Sequence, residues 1–241
     1  MMQPHAEDCQ ERLQKINAEF EEFSYIVSHD LKAPVRAITN LASWIEEDLE
    51  GTLPEDSQEN FRLLKNRVGR LEKMIQALLE FSRVARLQLE TGAVDVKSKI
   101  EKLAHEVAEN RELKLTISGK IAPLETYAEK LTFVLGELLR NAIFFNSKTQ
   151  PEIKVELQEN AEALQITIAD NGPGFPETSL PKLFTMFYTV LPKDQLETTG
   201  AGLAIVNKIV NFVGGKITAG NHPEGGAVFT LTWPKKMPSA N

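Results

Sequence analysis

Residues 19–34 read EFEEFSYIVSHDLKAP, and their apolar positions define the first long element of the chain. Phe20, Phe23 and Val27 continue a seam that starts at Leu13 and Ile16, with spacings of three and four residues in alternation. This spacing is typical of a helix that packs against a partner along its length. A second seam has the same alternation and comprises Phe61, Leu64, Val68, Leu71, Ile75, Leu78, Ser82 and Ala85. The sequence therefore predicts two long helices.

The segment between the two seams predicts a turn. Gly51-Thr52-Leu53-Pro54 contains a helix-ending glycine and a proline, so we expect the helices to fold back as an antiparallel hairpin. A hairpin of two long helices buries too little apolar surface to be stable alone. We therefore expect two copies of the chain to form a four-helix bundle, which makes the predicted assembly a homodimer.

Pro34 lies inside the first predicted helix. Its ring clashes with the preceding turn and its nitrogen carries no hydrogen, so we expect the helix to break or bend there. The apolar seam also changes phase in this region, where its members become Leu31, Ile38, Leu41, Ile45 and Leu49. The stretch from His29 to Pro34 is therefore predicted to be a distorted point in a regular element.

The pattern changes after Thr91-Gly92. Short segments that alternate with period two, such as ALQITI at 163–168, indicate strands with one buried face. We predict helices near 95–110, 128–146 and 201–213, a short helix near 178–185, and strands near 112–118, 123–126, 152–158, 163–169, 215–219 and 227–233. The predicted fold is multidomain: an all-α helical hairpin over residues 1–92 that forms the dimeric bundle, followed by an α/β sandwich over residues 93–241.

Composition excludes several classes of protein. The 241 residues carry a formal net charge of -7, which argues against nucleic-acid binding because phosphate contacts require a basic face. No apolar run approaches the ~18 residues that span a bilayer, and the N-terminus lacks the order of a signal peptide. We expect no membrane segment in this chain and a cytoplasmic location. The single cysteine, Cys9, cannot form an internal disulfide.

His29 and Asp30 are adjacent and lie beside the apolar seam, so we expect the imidazole to be exposed. A neutral imidazole is a competent nucleophile, and a neighbouring carboxylate can keep one ring nitrogen protonated while the other attacks. A surface histidine beside an aspartate is nevertheless common, and this pair by itself does not establish a function.

Glu137 and Asn141 lie four residues apart on a predicted helix and therefore share a face. Two oxygen donors so arranged suit Mg²⁺, which takes one or two protein ligands together with water and phosphate oxygens. An exposed polar stripe is the alternative interpretation, and the pair in isolation favours it.

Two glycine-containing segments are candidates for ligand binding. Segment 170–174, DNGPG, follows a predicted strand, and its glycines allow the backbone to turn and approach a ligand closely. Segment 199–203, TGAGL, opens a predicted helix, where backbone N–H groups and the helix dipole favour phosphate. An ordinary turn and an ordinary helix cap are the respective alternatives.

The order and spacing of these motifs resemble those of the bacterial sensor histidine kinases. Segment 23–48 resembles their phosphoacceptor helix, of the HisKA type, in which a His-acidic-x-Lys/Arg-x-Pro run marks the phosphorylated histidine. The remainder resembles their ATP-binding domain of the GHKL type. The matching motifs are the asparagine box at 137–142, the two glycine boxes at 170–174 and 200–203, the phenylalanine box at 183–187 and the terminal glycine-strand element at 225–229. The likeness covers nearly the whole chain and is greatest to the catalytic cores of phytochrome-like kinases.

The resemblance implies roles for individual polar residues. His29 would be the phosphate acceptor, and Asp30 would assist it as a base. Asn141 would coordinate the Mg²⁺ that bridges the ATP phosphates, and Glu137 on the same face would support the metal or a water. Asp170 would accept the adenine amino group, a hydrogen bond that selects adenine over guanine.

The resemblance also implies roles for the glycines and for a lid. Gly172 and Gly174 would admit the base. Three further positions would hold phosphate through the backbone: Gly200, Gly202 and Leu203. Residues 188–199, which include Lys193, would form a mobile lid that excludes water during phosphoryl transfer.

The function implied is that of an ATP-dependent protein histidine kinase of a two-component system. It would autophosphorylate His29 and pass the phosphoryl group to an aspartate on the receiver domain of a response regulator, with ATP and Mg²⁺ as cofactors. No sensor domain fits into residues 1–22, so we expect the signal to come from a separate or upstream sensor module. Two alternatives remain: a GHKL-type ATPase in which Glu137 activates water, and a nucleotide-binding pseudokinase scaffold.

The chain departs from the family pattern at three positions. Phe144 stands where the asparagine box usually has a lysine, and Thr198 replaces the first glycine of the second glycine box. Ala33 stands where many relatives have a Thr or Asn that helps water remove phosphate from the partner, so we predict weak phosphatase activity. Compensating charge near the phosphates would come from Lys193, Lys148 or Arg140.

Overall fold

A computed structural model of the chain describes residues 4–49, 52–85, 89–109, 111–191 and 198–236. Lys193, Gly51 of the predicted turn and the side chain of Leu13 lie outside the described residues. The chain divides into two compact units, of which the first comprises Met1–Arg83 and Leu196–Ala201 and the second Val84–Gln195 and Gly202–Asn241. The domain boundary between residues 92 and 93 stays a prediction.

The first unit is a helical hairpin of α1 (Pro4–Asp48) and α2 (Glu55–Arg83). The turn begins where the Thr52 amide donates to the Leu49 carbonyl at 2.9 Å, and the new helix starts where the Ser57 amide donates to the Pro54 carbonyl at 2.9 Å. Val35 of α1 packs in one buried cluster with Val68 and Ile75 of α2. The predicted antiparallel hairpin is confirmed.

Helix α1 continues through Pro34, so the helix does not break there, and the alternative of a bend stays a prediction. The proline removes a single backbone N–H, and this leaves only the carbonyl of Asp30 without its helical partner. Asp30, Ala33 and Pro34 are all exposed, so that carbonyl lies on a face where water can satisfy it.

The predicted apolar seams lie only partly in the interior of the hairpin: Val68 and Ile75 of the second seam are buried there, whereas other seam residues are exposed. Ile16, Phe20, Phe23, Leu64 and Leu71 are each between 41% and 64% exposed in the single chain. The residues of α1 that are buried are smaller: Ser24, Ser28, Val35 and Ala42. Small side chains let the two helices approach closely, while the larger apolar side chains form a separate exposed face.

The second unit contains two sheets and the remaining helices. Its strands are β1 (Thr91–Val94), β2 (Lys114–Ser118), β3 (Leu124–Tyr127), β4 (Glu152–Glu159), β5 (Ala163–Asp170), β6 (Lys216–Asn221) and β7 (Ala227–Pro234). Its helices are α3 (Val96–Ala108), α4 (Ala128–Phe144), a 3-10 helix (Glu177–Lys182) and α5 (Gly202–Phe212). The larger sheet has the strand order β2-β4-β5-β7-β6, in which β2 and β4 are parallel and the other pairs antiparallel. Strands β1 and β3 pair separately and antiparallel.

The core of this unit lies between the larger sheet and the helices. Strands β4 and β5 alternate buried and exposed residues, as the period-two pattern predicts, and α4 and α5 pack over the buried face. Trp233 of β7 is fully buried, and its indole N–H donates to the Thr126 hydroxyl at 2.8 Å. The predicted α/β sandwich with helices on one face of a mixed sheet is thereby confirmed.

The topology brings three strand ends together. Strand β5 ends at Asp170, β6 ends at Asn221 and β7 begins at Ala227, and β7 pairs with both of the others. Residues that follow β5 therefore meet the β6–β7 turn at one edge of the sheet. No α-helix within the described ranges has the length and apolar character needed to cross a bilayer.

Candidate functional site

His29 is presented on the outside of the hairpin. Its side chain is 72% exposed, while the preceding Ser28 is fully buried. The Nδ1 atom of His29 lies 3.0 Å from Oδ1 of Asp30, so an Nδ1–H tautomer donates to the carboxylate and leaves a lone pair on Nε2. The imidazole also stacks on Tyr25, one turn earlier, with ring centroids 6.2 Å apart. The structure therefore holds an exposed, oriented imidazole, as predicted.

Asp170 is the carboxylate at the end of β5 in the second unit. Its Oδ1 accepts hydrogen bonds from the Gly172 amide at 2.8 Å and from the Ala227 amide at 3.1 Å. Burial raises the pKa of Asp170, and the two backbone hydrogen bonds oppose that effect. Both of these hydrogen bonds go to the same carboxylate oxygen, Oδ1.

Glycines shape the loop that follows Asp170. A Cβ at Gly172 would lie 2.9 Å from Oδ1 of Asp170 and 3.6 Å from the Asn146 backbone, so a larger residue would fill the space beside the carboxylate. Gly174 has φ of 71°, the left-handed region that favours glycine. The structure thus brings the predicted residues Asp170, Gly172 and Gly174 together in one loop.

Two asparagines attach this loop to its neighbours. Asn171 Oδ1 accepts from Asn146 Nδ2 at 2.8 Å and from the Glu152 amide at 3.0 Å. Asn146 is buried just beyond the end of α4, so the loop is held against the helix that carries Glu137 and Asn141.

The face of α4 presents Glu137 and Asn141 one turn apart. Glu137 is 21% exposed in its side chain, and its Oε1 accepts from Arg140 Nε at 3.2 Å. Its other carboxylate oxygen lies against Gly202 at the start of α5, where a Cβ would collide with it. Asn141 is half-buried. The structure therefore joins Glu137 to Gly202 as well as to the exposed Arg140.

The second glycine segment leads into α5. Gly200 has φ of 75°, and the Ala201 amide donates to the Thr199 hydroxyl at 3.3 Å. Gly202 and Leu203 form the first positions of α5 and are half-buried. The remaining predicted site residue, Lys193, lies outside the described residues.

Three residues that sequence reasoning missed hold the site in place. Asn146 and Asn221 contact the loop after β5, and Arg111 donates to the carbonyls of Ile143, Asn146 and Lys148 at 2.8 to 2.9 Å, which caps the end of α4. Asn146 follows the asparagine-box motif closely in the sequence, and this proximity could have marked it as a candidate site residue. No local pattern marks Arg111 or Asn221.

Comparison with known families identifies both units. Residues 126–237 match the model described as "Histidine kinase-, DNA gyrase B-, and HSP90-like ATPase", which defines the class to which the sheet and its glycine loop belong. Residues 20–86 match the model described as "His Kinase A (phospho-acceptor) domain". The two matches in this order are those of a sensor histidine kinase catalytic core, and each matched segment belongs to the family that its model describes. The resemblance predicted from the sequence is confirmed.

Individual relatives agree with this assignment. The signal transduction histidine-protein kinase AfsQ2 of Streptomyces coelicolor is 30% identical in an alignment 231 residues long, which covers 87% of this chain and 41% of the relative. The phytochrome-like protein Cph1 of Synechocystis is 26% identical over 224 residues, which are 92% of this chain and 30% of the relative. The chain thus spans well under half the length of these curated relatives.

Solved structures share the fold. Full-length ShkA in complex with AMPPNP has a TM-score of 0.64 at 20% identity and covers 91% of this chain and 47% of that chain. The histidine kinase ThkA in complex with the response regulator protein TrrA has a TM-score of 0.63 at 21% identity and covers 98% of this chain and 68% of that chain.

Proposed function

We propose that this chain is an ATP-dependent protein histidine kinase that autophosphorylates His29 and transfers the phosphoryl group to an aspartate of a response regulator. The observation that carries the proposal is the exposed imidazole of His29, held by Asp30, on a chain that also has a histidine-kinase-like ATPase domain. A structural histidine would be packed or would bridge to a neighbouring element, whereas this side chain is 72% exposed.

His29 and Asp30 supply the acceptor chemistry. With Nδ1–H donated to Asp30, Nε2 carries the lone pair that attacks the γ-phosphorus of ATP. The new N–P bond forms as the bond from the γ-phosphorus to the β–γ bridging oxygen breaks, and ADP leaves. The imidazole becomes positively charged in this step, and the adjacent carboxylate of Asp30 stabilises it and can accept the Nδ1 proton.

The loop after β5 fits an adenine base. Oδ1 of Asp170 is held by two backbone amides, which supports Oδ2 as the acceptor for an exocyclic amino group. Residue 172 is glycine, and a Cβ there would lie 2.9 Å from Oδ1 of Asp170, so a larger residue would crowd this carboxylate. Gly174 allows the turn that keeps the loop clear of the base. An amino-group donor selects adenine, because guanine presents a carbonyl at the equivalent position.

The donor set on α4 fits Mg²⁺ through Asn141. Mg²⁺ supplies charge neutralisation between the phosphates when it is bound, and it needs only one or two protein oxygens. Asn141 offers an amide oxygen, whereas Glu137 already pairs with Arg140 and lies against Gly202. We therefore assign Asn141 as the ligand and Glu137 as the group that supports the metal or a water beside it. Gly200, Gly202 and the Leu203 amide remain the proposed phosphate contacts, and Lys193 the proposed lid cation.

Two partners follow from the proposal. The exposed apolar face of the hairpin, which includes Ile16, Phe20 and Phe23, supports a second copy of the chain as the partner in a four-helix bundle. The ThkA structure contains a response regulator, and its fold matches 98% of this chain, which supports a receiver domain as the second partner. The stimulus would arrive through a separate or upstream sensor module.

Labelled ATP tests the function directly. The wild-type chain with Mg²⁺ is expected to acquire protein-bound phosphate that is labile in acid and stable in base, and His29→Gln is expected to acquire none. His105→Gln is the matched control, because His105 is an exposed histidine on α3. Release of free phosphate at the same rate in wild type and His29→Gln would establish the ATPase alternative instead. Nucleotide binding with neither product would establish the scaffold.

A further inference from the structure

The face of α1 that carries His29 is tied to α2 on both sides of the histidine. Tyr25, His29, Lys32 and Arg36 follow one another at spacings of four, three and four residues, so they form one stripe along the helix. Three members of this stripe have partners on α2: Tyr25 with Arg83, Lys32 with Gln76, and Arg36 with Glu72. The described hydrogen bond and ring contact of His29 itself are both made within α1, to Asp30 and Tyr25.

Among the described residues, the ring that contacts the imidazole of His29 is that of Tyr25. The two rings have centroids 6.2 Å apart and planes inclined by 29°. A helical side chain points toward the N-terminus of its helix, so His29 leans over the turn that Tyr25 occupies. The stacking restricts the direction of the imidazole about χ1, and the 3.0 Å contact of Nδ1 with Asp30 restricts the rotation of the ring.

Arg83 in turn restricts Tyr25. Its guanidinium carbon lies 5.1 Å from the centroid of the Tyr25 ring, within the range of a cation–π interaction. Tyr25 is 49% exposed and Arg83 is the last residue of α2, so this contact joins an otherwise loosely held ring to the second helix. A chain of contacts thus runs from α2 through Arg83 and Tyr25 to the imidazole of His29.

We propose that Tyr25 is a positioning residue for His29, and that Arg83 fixes Tyr25 through its guanidinium. The inference rests on the proposed function and adds that the direction of Nε2 is set by these two side chains as well as by Asp30. A nucleophile in a phosphoryl transfer must approach in line with the leaving group, so an imidazole free to rotate spends less time in a productive direction.

Paired variants separate the ring and the charge from the rest of each side chain. Tyr25→Leu removes the ring and Tyr25→Phe keeps it, while Arg83→Met removes the charge and Arg83→Lys keeps it. We expect Tyr25→Leu and Arg83→Met to lower kcat for His29 phosphorylation about tenfold, and the conservative variants to stay within about twofold of wild type. The KM for ATP should not change, because neither side chain is among the proposed nucleotide contacts.

Labelling with phosphoramidate distinguishes the proposed positioning role from a general loss of structure. This small donor transfers its phosphoryl group to an imidazole as the P–N bond breaks and ammonia leaves, without a fixed direction of approach. The 241-residue wild-type chain and the four variants are labelled in parallel with ATP and with phosphoramidate, and helical content is followed by circular dichroism. We expect the rate from phosphoramidate to be the same in all five proteins.

Each result tests the positioning role of Tyr25, the proposed function, or both. Unchanged ATP-dependent rates in Tyr25→Leu, an equal loss in Tyr25→Phe, or an equal loss with phosphoramidate would overturn the positioning role. If Tyr25→Leu loses helical content, Arg83→Met carries the test, since its long stem preserves packing at the end of α2. If wild type is labelled by phosphoramidate but never by ATP, the proposed function fails and this inference fails with it. Labelling of wild type by ATP without any effect of the variants refutes the inference alone.

Discussion

The side-chain amide of Asn221 and the backbone of Phe175 form two hydrogen bonds of 2.8 Å each. Nδ2 donates to the Phe175 carbonyl, and Oδ1 accepts from the Phe175 amide. The pair joins the end of β6 to the loop that follows β5, across 46 residues of sequence. Gly174 is necessary for this contact, because a Cβ there would lie 2.7 Å from Asn221 Oδ1. The loop that begins at Asp170 is thereby closed at its far end.

Asn221→Ala is expected to loosen this loop and weaken ATP binding. Both backbone groups of Phe175 lose their partner, so we expect a loss of about 1 to 2 kcal/mol in the free energy of unfolding. The KM for ATP should rise about fivefold, with a smaller change in kcat. Asn211→Ala is the matched control, because Asn211 is exposed on α5. An unchanged KM in Asn221→Ala would show that the contact does not control the loop.

Asp170→Asn is expected to abolish nucleotide binding and to stabilise the folded chain. Burial raises the pKa of Asp170 in the folded chain above its value in the unfolded chain. The folded state therefore loses stability as pH rises from the ordinary pKa of aspartate through the raised one, because an ionised carboxylate is costly to bury. Asparagine keeps an oxygen for the Gly172 and Ala227 amides and carries no charge.

Denaturant unfolding of wild type and Asp170→Asn from pH 4 to pH 7 measures this effect. The variant should gain stability relative to wild type as pH rises through that window, and ATP binding at pH 7 should be lost. A difference in unfolding free energy that does not vary with pH would contradict the assignment of burial as the cause.

Much of the fold follows from local periodicity. Strand β5 alternates at period two and α2 at three and four, and both elements form as predicted because one face of each is buried. Strand β1 was missed since four residues, TGAV, are too few to show a pattern, and its pairing depends on β3. The helix does not break at Pro34 because a rule for isolated helices neglects tertiary packing, here that of Val35 against Val68 and Ile75 of α2.

The same difference between local and long-range contacts applies to the candidate site. Asp170 and Gly172 could be predicted because they hydrogen-bond two residues apart, inside one motif. Arg111 and Asn221 could not, because their partners lie 32 to 46 residues away and become neighbours only through the sheet and α4. The roles of the site residues in catalysis stay predictions that the variants test.

Gly202→Ala is expected to displace Glu137. A Cβ at position 202 would collide with the Glu137 carboxylate, so that side chain must move away from the start of α5. We expect the KM for ATP to rise about tenfold if Glu137 supports the metal or water beside Asn141. Gly69→Ala is the control, because a Cβ there meets nothing within 4 Å and alanine should stabilise α2 by about 1 kcal/mol. Equal kinetics in the two variants would remove Glu137 from the site.

Phe23→Glu is expected to dissociate the dimer. Phe23 is 64% exposed in the single chain and belongs to the apolar face proposed to meet a second copy. A buried, unpaired carboxylate is costly, so the sedimentation mass at micromolar concentration should fall from two chains to one. Glu22→Gln changes an exposed neighbour and should leave the mass unchanged. A wild-type mass equal to one chain would contradict the predicted homodimer.

Phe144→Lys is expected to strengthen ATP binding. Phe144 is the last residue of α4 and is 49% exposed, with its ring edge-on to Phe145 at 5.1 Å, so its replacement should cost little packing. Lysine restores the positive charge that the asparagine box of the family usually has near the phosphates, and we expect the KM for ATP to fall about fivefold. Phe144→Gln removes the ring without adding charge and separates the two effects. If both variants bind ATP equally, charge at position 144 does not limit binding, and the cations at Lys148 or Arg140 already supply it.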